Sequence, residues 1–225
     1  MEASSKLSGG ALRNYMEATS VCQAELEPEM SASEAPTRLL ITRPKRVDAR
    51  RNYEKVLAAA REAFAEGGES TALEEIARRA GVGIGTLYRH FPNRQALLEA
   101  LYVNEVEEVC RSANELDGGD PWEELSGWFE RLIGYFATKR ALAAELLNYL
   151  DHDASLFQTC RVSLYAAGEP LLKRAQEAGV VRDDVEFPEV MQMLIGIGKI
   201  PASDPAQIQH ILRIALDGLR YRPQA

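Results

Sequence analysis

At 225 residues, 27% of them charged and 46% hydrophobic, the chain has a globular composition and the length for a small module plus one substantial helical core. A net charge of -8 excludes a uniformly basic nucleic-acid binder. No run approaches the roughly 18 apolar residues of a membrane span, and no apolar stretch precedes a small-residue cleavage site near the N-terminus. Cys22, Cys110 and Cys160 are odd in number and widely spaced, so they form neither a disulfide framework nor a zinc pattern, and a cytoplasmic location is expected.

Residues 1–42 are polar and rich in small residues, with no periodicity beyond two turns, and read as a disordered extension. Met30, followed by Ser-Ala-Ser-Glu-Ala-Pro, is a plausible alternative start. Next come Arg43-Pro44-Lys45-Arg46 and Arg50-Arg51, a basic arm placed to follow a nucleic-acid backbone or to reach a minor groove. A first helix is expected from about Asn52 to Glu66, with Tyr53, Val56, Leu57, Ala60, Ala63 and Phe64 as its apolar stripe and Gly67-Gly68 as its stop.

The stretch Thr71 to Phe91 has the layout of a helix-turn-helix. Thr71 and Glu74 read as a capping box, and Leu73, Ile76, Ala77 and Ala80 recur at helical spacing. Gly81 ends that helix and Val82 fills the corner. In the second helix a single inward Leu87 is surrounded by Gly83, Ile84, Gly85, Thr86, Tyr88, Arg89 and His90, a face with no acid. Two glycines cost a solvated helix on the order of 1 kcal/mol each, and they are useful where a backbone must approach another surface. Tyr, Thr and His can donate to phosphate oxygens, and Arg can read guanine in a bidentate manner. A helix pair inside a helical bundle is the plainer alternative.

A fourth helix is expected from Asn93 towards Leu116, with Asp117-Gly118-Gly119 ending it. Asp120-Pro121-Trp122-Glu123 starts another, in which Trp122, Leu125, Phe129, Leu132, Ile133 and Phe136 share one face while Trp128 and Tyr135 lie on a second. Separate helices are expected over Lys139 to Leu150 and Ser155 to Ala178, the latter kinked at Pro170 and capped by Gly179. The helix Glu189 to Lys199 is apolar nearly all round, and Asp204-Pro205 opens a last helix striped by Ile208, Ile211, Leu212, Ala215, Leu216 and Leu219. Either these two cover the body's own core, or two copies of the pair build a four-helix dimer interface.

The net charge conceals an asymmetry. Residues 43–94 hold eleven Lys/Arg against seven Asp/Glu, whereas residues 95–225 hold twelve against twenty-one. A basic head on an acidic body is expected when only one end meets phosphates.

Thr86-Leu87-Tyr88-Arg89-His90-Phe91, with Ala80-Gly81-Val82 before it and Asn93-Arg94-Gln95-Ala96-Leu97-Leu98 after it, resembles the TetR family of bacterial transcriptional regulators. That resemblance runs without a gap from about Asn52 to Leu101; beyond it only the layout is similar. It implies an all-α fold, with a three-helix DNA-binding head over residues 43–96 and a helical effector-binding and dimerisation domain over 97–225. Also implied are a homodimer on a palindromic DNA operator, a small-molecule effector, and neither cofactor nor membrane. On the resemblance, Thr71, Thr86, Tyr88, His90 and Arg94 match phosphate-contacting positions, and Gly83, Ile84, Gly85 and Arg89 match positions facing base edges. Lys45, Arg46 and Arg50 of the arm join that DNA-binding set. Ile84 departs from the polar or basic residue usual there, so apolar contact with a thymine methyl is expected. Trp128, Tyr135, Phe136, Tyr149, Phe157 and Tyr165 are the candidate effector lining, although aromatics at helical spacing also serve as plain core.

Asp151-His152-Asp153 is a weak metal candidate, because consecutive residues rarely converge on one ion and Asp153 suits a helix N-cap. His90, His152 and His210 lack the companions that a nucleophile, a paired-carboxylate site or a metal site requires, so no catalytic activity is expected. The rival from another class is a helical adaptor whose head binds protein; the basic arm and the acid-free face count against it.

Overall fold

The computed structural model describes residues 43–67, 70–116, 118–151, 155–200 and 205–220, with backbone alone at 137–141 and 205. Expectations for residues 1–42, His152, Asp153 and Asp204 lie outside these residues. Among the described residues there are eight helices: α1 (Val47–Gly67), α2 (Leu73–Ala80), α3 (Ile84–His90), α4 (Arg94–Asn114), α5 (Pro121–Leu146), α6 (Ser155–Glu177), α7 (Phe187–Gly198) and α8 (Pro205–Asp217). The all-α expectation holds.

The helix ends follow local chemistry. The Asn93 side chain accepts from the Ala96 amide (2.8 Å) and Asp120 from the Glu123 amide (2.9 Å), each relieving an orphan donor of a first turn. Pro121 is pre-set for the opening of α5. Glu186 and Glu189 form a reciprocal capping box at α7.

Four boundaries differ from the sequence reading. Helix α1 begins at Val47, so Arg50 and Arg51 are helical rather than part of an extended arm. The capping box at Thr71 is absent: the N-cap of α2 is Ala72, which makes no side-chain capping bond, and the Thr71 hydroxyl donates to the Ala63 carbonyl at 3.0 Å. The Lys139–Leu150 helix is not separate, because α5 runs unbroken through Leu146. No Gly or Pro interrupts Phe136 to Leu146, and Leu142, Ala143 and Leu146 are buried in step with its earlier apolar positions. Finally, α7 starts at Phe187, two residues before Glu189.

Helix α4 is the spine. It packs against α1, α5 and α6, and its Leu97, Leu98, Leu101 and Val106 are completely buried. Helices α1, α2 and α3 form a small triangle around Ile76, Leu87 and Phe91. Helices α5 to α8 pack as a second layer, in which Trp128 is buried and donates from Nε1 to the Val109 carbonyl at 3.1 Å. Most of the apolar surface of α7 (Val190, Met191, Leu194, Ile195, Ile197) is covered within this single chain, leaving Gln192 and Gly196 exposed and Met193 half-buried. An antiparallel bridge between Val181 and Arg220 ties the end of the described chain back to the body.

Candidate nucleic-acid interface

The α2–α3 corner is closed by backbone chemistry. Gly81 has φ 65°, the left-handed region where a side chain would be strained, and the Val82 amide then donates back to the Ala77 carbonyl at 3.0 Å. Ala77 is buried where the two helices meet. This tight turn fixes the angle of α3 without any loop of appreciable length.

Helix α3 is anchored by one side chain. Leu87 is fully buried, while Ile84 and Tyr88 are 38% and 43% exposed, and Gly83, Gly85 and Arg89 are also exposed. Thr86 and His90 are half-buried, and His90 meets the edge of Tyr53 with centroids 6.0 Å apart. Nothing lies within 4 Å of where a Cβ would stand on Gly83 or Gly85, and neither has a positive φ. Gly83 is the N-cap of α3, a position that suits glycine, whereas Gly85 lies inside the helix, where the chain's own packing gives no reason for glycine. A surface that must be approached closely does.

Cations near this face divide into two groups. Arg78 and Arg79 are held by Glu75, at 2.7–2.8 Å, and Arg79 also by Glu66 at 2.7 Å. Those two guanidinium groups hold the Glu75 carboxyl down at about 2. Lys45, Arg46 and Arg50 are exposed at the start of α1. Arg43, next to them, is tied to α4 by bonds to Asn104 (3.0 Å) and Glu107.

Two residues matched to phosphate-contacting positions point elsewhere in this structure. Thr71 is buried with its hydroxyl on Ala63. Arg94 is directed inward: its Nε donates to Glu145 Oε1 at 2.6 Å, a second nitrogen lies 2.5 Å from the same oxygen, and Nη1 donates to the Thr71 carbonyl. Glu145 was missed in the sequence. Its signal was present, as an acid between Leu142-Ala143 and Leu146-Leu147 at a helical core position.

The candidate effector residues separate into small groups. Trp128 stacks obliquely near Phe129 and Phe187, Tyr165 meets Phe187 edge-on at 5.4 Å, and Phe157 meets Tyr102 edge-on at 5.3 Å. Tyr135 and Phe136 pair at 5.6 Å. Tyr149, in the turn after α5, is 45% exposed and stands apart from this buried set. Tyr102 is expected from the sequence only as an apolar position of the helix from Asn93, and Phe187 falls two residues before the helix expected from Glu189.

Residues 56–101 match the model of bacterial regulatory proteins of the tetR family, and residues 120–221 match the C-terminal domain of SbtR-like transcriptional regulators. The HTH-type transcriptional regulator UidR of Escherichia coli is 33% identical over 148 residues, spanning 64% of this chain and 76% of UidR. The crystal structure of a TetR transcriptional regulator from Streptomyces coelicolor is 39% identical, covers 75% of this chain and 98% of its own, and superposes with a TM-score of 0.66. The chain belongs to the TetR family. The HTH-type transcriptional repressor KstR of Mycolicibacterium smegmatis is a further relative, 27% identical over 60% of this chain and 72% of its own length. As a TetR-family protein, it is a DNA-binding transcriptional regulator. The names of the family and of these relatives indicate a non-enzymatic role. Among the described residues, no helix is long and apolar enough to cross a membrane, and no cluster of three His, Cys, Asp or Glu could hold a metal.

Proposed function

We propose that the protein is a cytoplasmic, homodimeric, effector-responsive repressor whose domain over residues 43–96 reads a palindromic operator. The observation that carries this reading is the outward face of α3, where two open glycines flank Ile84 and no acid is present beside Tyr88, Arg89 and His90. The glycine backbone and Ile84 meet the floor of the major groove, with Ile84 against a thymine methyl and Arg89 on base edges. Thr86, Tyr88 and His90 hold the flanking phosphates, and Lys45, Arg46 and Arg50 follow the backbone further out.

A palindrome requires two heads related by a twofold axis, their half-sites separated by one helical turn or a multiple. The outward residues of α7 and α8 supply the dimer surface in this reading. Ile214 is 59% exposed on the single chain, and Ile211 and Met193 are half-covered. The effector enters the domain over 97–225, among the aromatic groups around Trp128, Tyr135, Phe136, Phe157 and Tyr165. It releases DNA only by favouring a conformation that binds the operator less well. The adaptor alternative is disfavoured by the same acid-free face and by the family.

The test is selection of DNA from random sequence with the purified protein and with Tyr88→Ala. A palindrome enriched by the wild type and lost by the variant supports the reading. No enrichment even at low salt, where phosphate contacts are strongest, refutes it.

A further inference from the structure

Glu145 is a carboxylate with a side chain only 7% exposed, set among the buried Leu142, Ala143 and Leu146 of α5. An ionised acid in such surroundings is costly unless a cation is brought to it. The cation comes from the spine itself: Arg94, in the first turn of α4, reaches it with two guanidinium nitrogens. The same guanidinium lies 4.9 Å over the ring of Phe64 of α1 and donates to the carbonyl of Thr71. One side chain thus joins α1, α4, α5 and the corner from which α2 departs.

That corner is held on its other side as well. The Thr71 hydroxyl donates to the Ala63 carbonyl, and a Cβ on Gly67 would stand 2.7 Å from the Thr71 oxygen. Since α2 begins two residues after Thr71 and α3 follows through the rigid Gly81 turn, the direction of α3 relative to the body is set at this point. A buried ion pair contributes little to stability because desolvation offsets the Coulomb attraction, but its hydrogen bonds are directional.

We propose that Glu145 is a positioning residue for DNA recognition: without touching DNA, it orients the helix-turn-helix through Arg94 and the Thr71 corner. Arg94 on this account does not contact phosphate. The proposal rests on α3 being the DNA reader.

The experiment measures affinity for the selected operator against salt, for the full-length wild type, Glu145→Gln, Arg94→Gln and the double variant. A residue that leaves a phosphate lowers the slope of log affinity against log salt by about 0.9, whereas a positioning residue leaves it unchanged. The expected result is a loss of about five- to tenfold in each single variant, an unchanged slope, and a double variant no weaker than the weaker single. A slope reduced only in Arg94→Gln, with Glu145→Gln at or above wild-type affinity, overturns the proposal and makes Arg94 a phosphate contact. Additive losses also overturn it. Should Glu145→Gln fail to fold, the apolar pair Arg94→Met/Glu145→Met removes both charges together. That variant is expected to fold and to show the same loss, and wild-type affinity in it overturns the proposal. A wild type that selects no DNA would instead overturn the underlying assignment of α3, so the two failures are distinguishable.

Discussion

Gly168 in α6 is the tightest glycine position described in the molecule. A Cβ there would stand 2.4 Å from the Phe187 ring and 2.5–2.6 Å from two carbons of Trp128, distances that real side chains do not reach. Neither ring can yield readily. Trp128 and Phe187 are 1% and 3% exposed, and the indole is held to Val109 by its hydrogen bond. Two effects oppose one another in Gly168→Ala. Alanine favours the helix by about 1 kcal/mol. Overpacking against two immobile rings costs at the upper end of about 1–3 kcal/mol. The clash wins, and a net destabilisation of about 2 kcal/mol corresponds to a fall in Tm of roughly 4–8 °C for a domain of this size. Gly127→Ala in α5 serves as the matched control, since nothing lies within 4 Å of its Cβ and only the propensity gain remains. Thermal unfolding followed by circular dichroism should therefore show the two substitutions moving Tm in opposite directions. A Gly168→Ala protein as stable as the wild type would refute the packing of Trp128 and Phe187 against α6.

Ile214→Asp places a charge at a position 59% exposed on the single chain, so folding should be unaffected, whereas a dimer built on α8 should dissociate. Light scattering is expected to give a mass near 24.9 kDa for the variant and about twice that for the wild type, and identical masses would remove α8 from the interface. Burial first, and then the charge of Glu107, push the Cys110 thiol up to about 12. Its thiolate fraction at pH 8 is then about one in ten thousand. Peptide mapping after brief iodoacetamide treatment should find Cys110 unmodified in the native protein and alkylated once it is unfolded; rapid native modification would contradict the burial.

The sequence disclosed most where one local rule decides the outcome. The Gly81 turn, the Asn93 and Asp120 caps, and the single inward Leu87 each depend on a few neighbouring residues, and each stands as expected. Thr71 shows the limit of such rules. Its spacing to Glu74 fits a capping box, yet the N-cap falls on Ala72, and the Thr71 hydroxyl donates instead to the Ala63 carbonyl of α1, eight residues earlier. The inward turn of Arg94 likewise depends on Glu145, 51 positions away, and no local pattern links them. The near-uniform apolarity of α7 was legible, but whether neighbouring helices or a second chain cover it depends on tertiary packing. Within one chain, α5, α6 and α8 already cover most of it.

Base reading by the outer face of α3, in two symmetry-related copies, is open to test at Ile84. Ile84 is exposed and cannot hydrogen-bond a base, whereas lysine at that position could donate to guanine. Selection from random DNA with Ile84→Lys should return a palindrome altered at the same step in both half-sites, with the remaining positions unchanged. A variant that selects the wild-type sequence and merely binds it more weakly at every site would contradict base reading by α3.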